Sequence, residues 1–335
     1  MAQAIGLDAV RTHYRRQVRR TPSVRMVPET LAIGGRRLHY AVSDNEDAHG
    51  PGGLGTPPIW AVNVHGFLAG GRMYWRESAR LAERLGWRVL NPSLPGFGGS
   101  DPLAWGDVSL AGLAAETGRV VRAVGAGPLV LLGHSMGGAV AVQYAHDLSR
   151  RGSGDQELLG LVYRAGVATP AWKMRHGPLA ALVAVAAPEV AQLMDLVGSM
   201  LLDVPDLLVG RMYSTMRAVL PDVRANARTV GTTLPVGSML MSVDLRREVE
   251  ELADGALPVL AEWGCFDRVA DAATAAEFAR HARTEVQWLP GGHSWMVARP
   301  QGQADVLTWL PTGRRFVAEV EARWWRWWAE RSGGR

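Results

Sequence analysis

The chain holds one cysteine, Cys265, in 335 residues, so no intrachain disulfide can form and a disulfide-stapled scaffold is excluded. A packing role is expected of that lone thiol. Lysine is as scarce: Lys173 stands alone among 36 basic residues, and the other 35 are arginine. That bias says more about genomic base composition than about binding. The net charge of +4 is mild for this length, and no long basic block interleaved with aromatics marks a nucleic-acid surface. No run approaches the roughly 18 apolar residues of a membrane-spanning helix. The longest, Pro178–Pro188, is far shorter. The first thirty residues are arginine-rich (Arg11, Arg15, Arg16, Arg19, Arg20, Arg25) but lack the apolar core of a secretory signal, so a cytoplasmic location is expected.

What is abundant is apolar surface, 47% of residues, ample for one large α/β domain with an insertion. The most informative stretch is Leu129-Val130-Leu131-Leu132-Gly133-His134-Ser135-Met136-Gly137-Gly138. A strand-like apolar run stops at Gly-x-Ser-x-Gly, and a helical pattern (Ala139, Val140, Val142, Ala145) follows. In that context the serine sits on a tight, strained turn with its hydroxyl exposed. Ser135 is therefore the candidate nucleophile.

A serine hydroxyl needs a histidine to take its proton and an acid to orient that histidine. Downstream, Leu257–Gly264 reads as a buried strand ending in Cys265-Phe266-Asp267, and Thr284–Leu289 as another strand running into Pro290-Gly291-Gly292-His293. Asp267 is the candidate acid, with Asp271 or Glu262 as alternatives, since Asp271 also precedes the helical pattern Ala272–Ala282 and suits an N-cap. His293 is the candidate base. Reactive side chains of open α/β sheets gather at the C-terminal strand ends, where all three fall. An oxyanion hole needs two backbone N–H groups. Met136, next to Ser135, is one candidate. Phe67, in His65-Gly66-Phe67-Leu68 after the strand Ile59–Val64, is the other.

With these residues placed, the sequence resembles the α/β-hydrolase superfamily in its esterase/lipase-like branch. The resemblance rests on His65-Gly66-Phe67, Asn91–Asp101, Gly133–Gly138, Trp263–Asp267 and Gly292-His293, in family order between about residues 57 and 300. It implies a mostly parallel central sheet flanked by helices, with a helical cap inserted at residues 169–250. The core would then comprise 30–168 and 251–312, with a peripheral arm at 1–29 and a Trp/Arg-rich helix at 313–335. It implies a serine hydrolase forming an acyl-enzyme on a small, hydrophobic acyl substrate, with no metal or cofactor. A serine at the nucleophile position sets the chain apart from epoxide hydrolases and dehalogenases of this fold, which carry aspartate. The same machinery serves thioesterases, lactonases and acyltransferases. C–C hydrolases often carry Asn where His134 stands, and binding modules of the fold usually lack a triad member.

Within the chain, Leu7, Val10, Tyr14 and Val18 recur at helical spacing in the N-terminal arm, and residues 30–43 read as a hairpin turning at Gly34-Gly35. The expected substrate pocket draws on His65, Leu68, His134 and Trp295, and on Met174, Met212 and Met239 of the insertion, which holds seven of the twelve methionines. Methionine suits adaptable apolar surfaces and equally the packing of cap helices. The tail Arg314–Arg331 aligns Phe316, Val320, Trp324 and Trp328 on one face, with Val317 and Trp327 alongside. Docking of that face on the body or on a partner is favoured over a membrane interface, because Glu319, Glu321 and Glu330 dilute the positive charge. Oligomeric state is not legible.

Overall fold

The structure, a computed structural model, describes residues 21–151, 156–174, 219–228 and 230–333. The helix expected in the N-terminal arm, Met212 and residues 175–218 of the insertion lie outside the described residues. The chain opens on the expected hairpin, β1 Met26–Ile33 and β2 Arg36–Ser43. Its two-residue turn needs left-handed backbone at both positions. Gly34 (φ 58°) and Gly35 (φ 77°) supply it.

Strands β3 (Trp60–Val64), β4 (Arg88–Pro92), β5 (Leu129–His134), β6 (Leu158–Arg164), β7 (Val259–Gly264) and β8 (Val286–Leu289) complete an eight-stranded sheet of order β1-β2-β4-β3-β5-β6-β7-β8. β2 runs antiparallel to β1 and β4, and every other pairing is parallel. Parallel neighbours need crossovers, and helices make them. Among the described residues, α1 (Trp75–Leu85), α2 (Leu110–Ala123), α3 (Met136–Arg151), α4 (Val230–Ser242), α5 (Arg246–Asp254) and α6 (Ala272–Ala282) lie between strands, and α7 (Trp295–Ala298), α8 (Gly302–Trp309) and α9 (Pro311–Ser332) follow β8. Local chemistry sets their ends. Ser109 Oγ accepts the Gly112 N–H at 3.0 Å to cap α2, and left-handed Gly86 closes α1.

Both faces of the central strands are covered, and β5 is buried at every position, yet its side chains still alternate between two cores. Leu129 and Leu131 of β5 join one core with Leu113, Ala139, Val249 and Phe278, while Val130 and Leu132 join a second with Leu81, Val306 and Val320. The C-terminal helix α9 belongs to that second core. It buries Phe316, Val320, Trp324 and Trp327 against the sheet, and Trp324 Nε1 donates to the Pro57 carbonyl at 3.1 Å. Gly160 of β6 makes room, since a Cβ there would crowd Phe316 and Val320. Docking on the body is thus what the helix does, with Trp327 buried where Trp328 was expected and Trp328 half-buried.

Helix α5 flanks the sheet beside α3, where His146 Nε2 meets a Glu251 carboxylate oxygen at 2.7 Å. Two expectations are corrected. Cys265 is exposed, not a thiol packed in the core. β8 is an outer strand with Trp288 exposed, not an interior one. No helix among the described residues is long and apolar enough to cross a membrane.

Candidate active site

The loops at the C-terminal ends of β3, β4, β5, β7 and β8 converge, and β5 supplies the centre. Ser135 follows β5 directly, precedes α3 and has φ 54°, a left-handed conformation that costs a serine on the order of 1–3 kcal/mol. The turn is locked by Ser135 N–H donating to Arg164 O at 3.0 Å and by Gly138 N–H donating to Ser135 O at 2.9 Å. Gly137 is obligatory there, because a Cβ would collide with the carbonyl oxygens of Val64 and His65.

Asp267, in the loop after β7, pairs with His293, in the loop after β8. His293 Nδ1 lies 2.9 Å from Asp267 Oδ2, and both side chains are only 1% exposed. Asp267 Oδ1 accepts the N–H groups of Val269 (2.8 Å) and Ala270 (2.9 Å), so the carboxylate is oriented from both sides. A carboxylate only accepts, so the imidazole proton sits on Nδ1 and Nε2 is left basic. The two other carboxylates weighed from the sequence have different work. Asp271 caps α6 by accepting from the Ala273 and Thr274 N–H groups. Glu262 lies within β7, fully buried, accepting from Gln303 Nε2 at 2.9 Å, and burial pushes its carboxyl up to about 8.

Two further histidines border the site, His65 after β3 and His134 at the end of β5, and neither offers a nitrogen to a pocket. His65 Nε2 accepts the Leu94 N–H at 2.9 Å, so its proton is on Nδ1 and is donated to Gly66 O at 2.8 Å. Burial lowers its pKa to about 4. His134 Nε2 faces the His293 carbonyl at 2.9 Å and must donate to it. Its Nδ1 then accepts from the Tyr74 hydroxyl at 2.6 Å, while Gly66 N–H donates to that hydroxyl at 3.3 Å. Burial, then the neighbouring His293, holds His134 well below the usual imidazole range. The rings of His134 and His293 stand 4.8 Å apart between centroids, so the chain neighbour of Ser135 packs against His293.

The Phe67 side chain is buried and meets Phe97 edge-on, 5.9 Å between ring centroids. Its N–H has no hydrogen-bond acceptor among the described residues. Met136 is the first residue of α3, where an amide has no intrahelical acceptor. Leu68 follows Phe67 in a left-handed conformation, φ 59°. Of the remaining expected pocket residues, Trp295 is buried in the second core, against Gly302 of α8. Met239 of α4 is half-buried at the edge of the first core, and Met174 ends the turn Pro170–Met174.

Sequence reading missed two groups. The first is a buried ionic layer under the elbow. Arg164 at the end of β6 is fully buried, pairs with Glu77 and donates to Asn63 Oδ1. An arginine closing the apolar run Leu158–Tyr163 was a legible signal, because a buried charge requires a partner. The second is Asp222 and Asn226, one helical turn apart, which reach the loops after β3 and β4 and carry no sequence signature.

Comparisons with known proteins agree with this architecture. A sequence profile described as alpha/beta hydrolase fold matches residues 61–300. A protein of Rhodobacter capsulatus named magnesium-chelatase 30 kDa subunit is 28% identical over 260 residues, covering 74% of this chain and 85% of that protein. Among solved structures, a membrane phospholipase A has TM-score 0.59 at 20% identity, over 93% of this chain and 90% of that one. A thermophilic esterase from Thermogutta terrifontis has TM-score 0.58 at 20% identity, over 88% of this chain and 99% of that one. Strand order, the crossover helices and a profile match over most of the length agree: the chain belongs to the alpha/beta hydrolase fold family.

Proposed function

We propose that this chain is a serine hydrolase acting on an ester-type acyl bond, esterase- or lipase-like, with Ser135, His293 and Asp267 as its triad. The observation that carries the reading is the Asp267–His293 pair, 2.9 Å apart and almost completely buried, with the His293 ring packed against that of His134, the residue before a serine in a left-handed turn. His293 Nε2 takes the proton from Ser135 Oγ as the oxygen attacks the acyl carbonyl carbon. The N–H groups of Phe67 and Met136 receive the oxyanion of the tetrahedral adduct. Collapse breaks the bond to the leaving alcohol, which takes the proton from His293. Water, deprotonated by His293, then opens the acyl-enzyme by the same steps and regenerates Ser135. Asp267 keeps the imidazole in the required tautomer and stabilises its charged form. No step calls for a metal or cofactor. Thioesters, lactones and acyl transfer to an alcohol would use the same residues, and C–C bond hydrolysis or a non-catalytic binding role are the more distant alternatives.

The deciding experiment is hydrolysis of p-nitrophenyl esters from acetate to palmitate, with Ser135→Ala as the blank. Turnover that vanishes in the variant supports the reading, and the chain-length optimum reports the acyl group. Absence of turnover on every ester, with no labelling of Ser135 by a fluorophosphonate, overturns it. A second reading comes from the name of the Rhodobacter capsulatus relative: a role beside a metal chelatase. That role would survive Ser135→Ala, which separates the two.

A further inference from the structure

The described residues 219–226 are helical and belong to the segment between β6 and β7, yet two of their side chains reach the catalytic edge of the sheet. Asn226 Nδ2 donates to the carbonyls of Leu68 (2.7 Å) and Ala69 (3.1 Å), and its Oδ1 accepts the Gly98 N–H at 2.8 Å. One turn earlier, Asp222 Oδ2 accepts the Met73 N–H at 2.7 Å. The Asp222 carboxyl stands so close over Gly70 that a Cβ there would collide with it. Both side chains are buried, Asp222 at 3% and Asn226 at 8% exposure. Buried polar groups are tolerated where they are hydrogen-bonded, and all four of these bonds go to the backbone of the loops after β3 and β4.

Those bonds add to the loop's own. Within it, Ala69 N–H donates to Gly66 O and Met73 N–H to Gly70 O, both 3.2 Å, while Gly71 N–H donates to Ser93 Oγ and Gly71 O accepts from Asn91 Nδ2. At its centre Leu68 adopts φ 59°, a conformation that persists in a leucine only when its surroundings impose it. Two carbonyls at that point, those of Leu68 and Ala69, share the single amide of Asn226. The peptide that carries the held Leu68 carbonyl also carries the Ala69 N–H, which donates to Gly66 O, and Gly66 O belongs to the same peptide as the Phe67 N–H, so the constraint reaches the peptide that aims it.

We infer that Asn226, assisted by Asp222, is a positioning residue that holds Leu68 in its left-handed turn and so aims the Phe67 N–H at the oxyanion. This rests on the hydrolase reading given above. One oxyanion donor is then completed from outside the sheet domain's own loops, and seating of helix 219–226 becomes a condition for catalysis.

The test is Asn226→Ala in the full chain, with Asp222→Ala as a second variant that withdraws a single bond. Three quantities are read: amide hydrogen exchange over 66–73 and at Gly98, the rate of fluorophosphonate labelling at Ser135, and kcat against KM on the best p-nitrophenyl ester. Expected are exchange at least tenfold faster in those loops, labelling and kcat at least tenfold slower, and KM within about threefold of wild type. Asp222→Ala should show the faster exchange at Met73 and a smaller loss of rate, so the answer stands if Asn226→Ala folds poorly. Unchanged exchange overturns the inference, as does faster exchange with wild-type labelling. Wild-type protein that never labels overturns the hydrolase reading as well, which distinguishes the two failures.

Discussion

The imidazole of His134 donates from Nε2 to the main-chain carbonyl of His293, 2.9 Å away. The residue before the candidate nucleophile is thereby fastened to the backbone of the candidate base, although the two are 159 positions apart in the chain. Tyr74 extends the link, since its hydroxyl donates to His134 Nδ1 and accepts from Gly66 N–H, the residue before Phe67. One neutral imidazole therefore ties together the three loops in which nucleophile, base and oxyanion donor are proposed.

Tyr74→Phe cuts that link at one atom. It strands His134 Nδ1 and the Gly66 N–H in a buried site, and leaving such groups unpaired costs about 1–3 kcal/mol. Urea unfolding should show that loss with an unchanged m-value. If the link also positions the loops, kcat on a p-nitrophenyl ester falls while KM changes little.

Asp267→Asn and Asp271→Asn should part company, though the residues are four apart. In the first the amide oxygen stays with the Val269 and Ala270 N–H groups and the amide NH2 turns to His293 Nδ1, forcing the wrong tautomer, and loss of tautomer control in a triad costs on the order of 10³–10⁴ in kcat. The second touches only the N-cap of α6, and asparagine is an equally good cap, so both kcat and stability should stay near wild type. Steady-state kinetics of the two variants decides the matter. Equal losses would contradict the assignment of the acid to Asp267.

Glu262 makes stability depend on pH with a definite sign. Its folded-state pKa is raised to about 8 by burial, so between its ordinary value of 4.5 and 8 the folded protein holds a proton that the unfolded chain has released. Stability from this group is complete below pH 4.5 and falls as pH rises toward 8, by on the order of a few kcal/mol. Glu262→Gln, always neutral, should flatten that slope. Denaturant midpoints at about pH 5, 7 and 9 compare the two proteins, and identical slopes would refute the buried, protonated carboxyl.

Helix α9 gives a paired stability test. Trp324 is fully buried against Gly50 and the sheet, whereas its neighbour Trp325 is 48% exposed. Truncating a core tryptophan to alanine costs about 3–5 kcal/mol. Trp325→Ala should cost well under about 1 kcal/mol, as surface changes usually do. Thermal melts of the two variants would differ accordingly, and similar losses would mean that the docked face is wrongly identified.

The residues proposed for chemistry were legible because each obeys a local rule. Ser135 sits between an apolar strand and a helix, and Asp267 and His293 each follow an apolar run in a turn. Such patterns depend on neighbours in sequence, and the elements built from them lie where periodicity put them: α6 at Ala272–Ala282, and β5 just before Ser135. Where a feature depends on distant neighbours, sequence was silent or misleading. Thr284–Leu289 looked like any core strand, but its position at the end of the sheet order leaves Trp288 exposed. His65 and His134 looked like pocket groups, but Leu94, Tyr74 and the His293 carbonyl claim their nitrogens.

By itself, then, the sequence determined the order of strands and helices, the strained serine turn and the types of the reactive side chains. These follow from backbone sterics and from the periodicity of burial, both of which act within a few residues. Tertiary structure alone decided which of three carboxylates meets His293, which tautomer each imidazole holds, and that Asn226 and Asp222 brace the loop of Phe67. Those outcomes rest on hydrogen bonds between groups far apart in the chain, and a hydrogen bond is decided by distance and direction in space, not by position along the backbone.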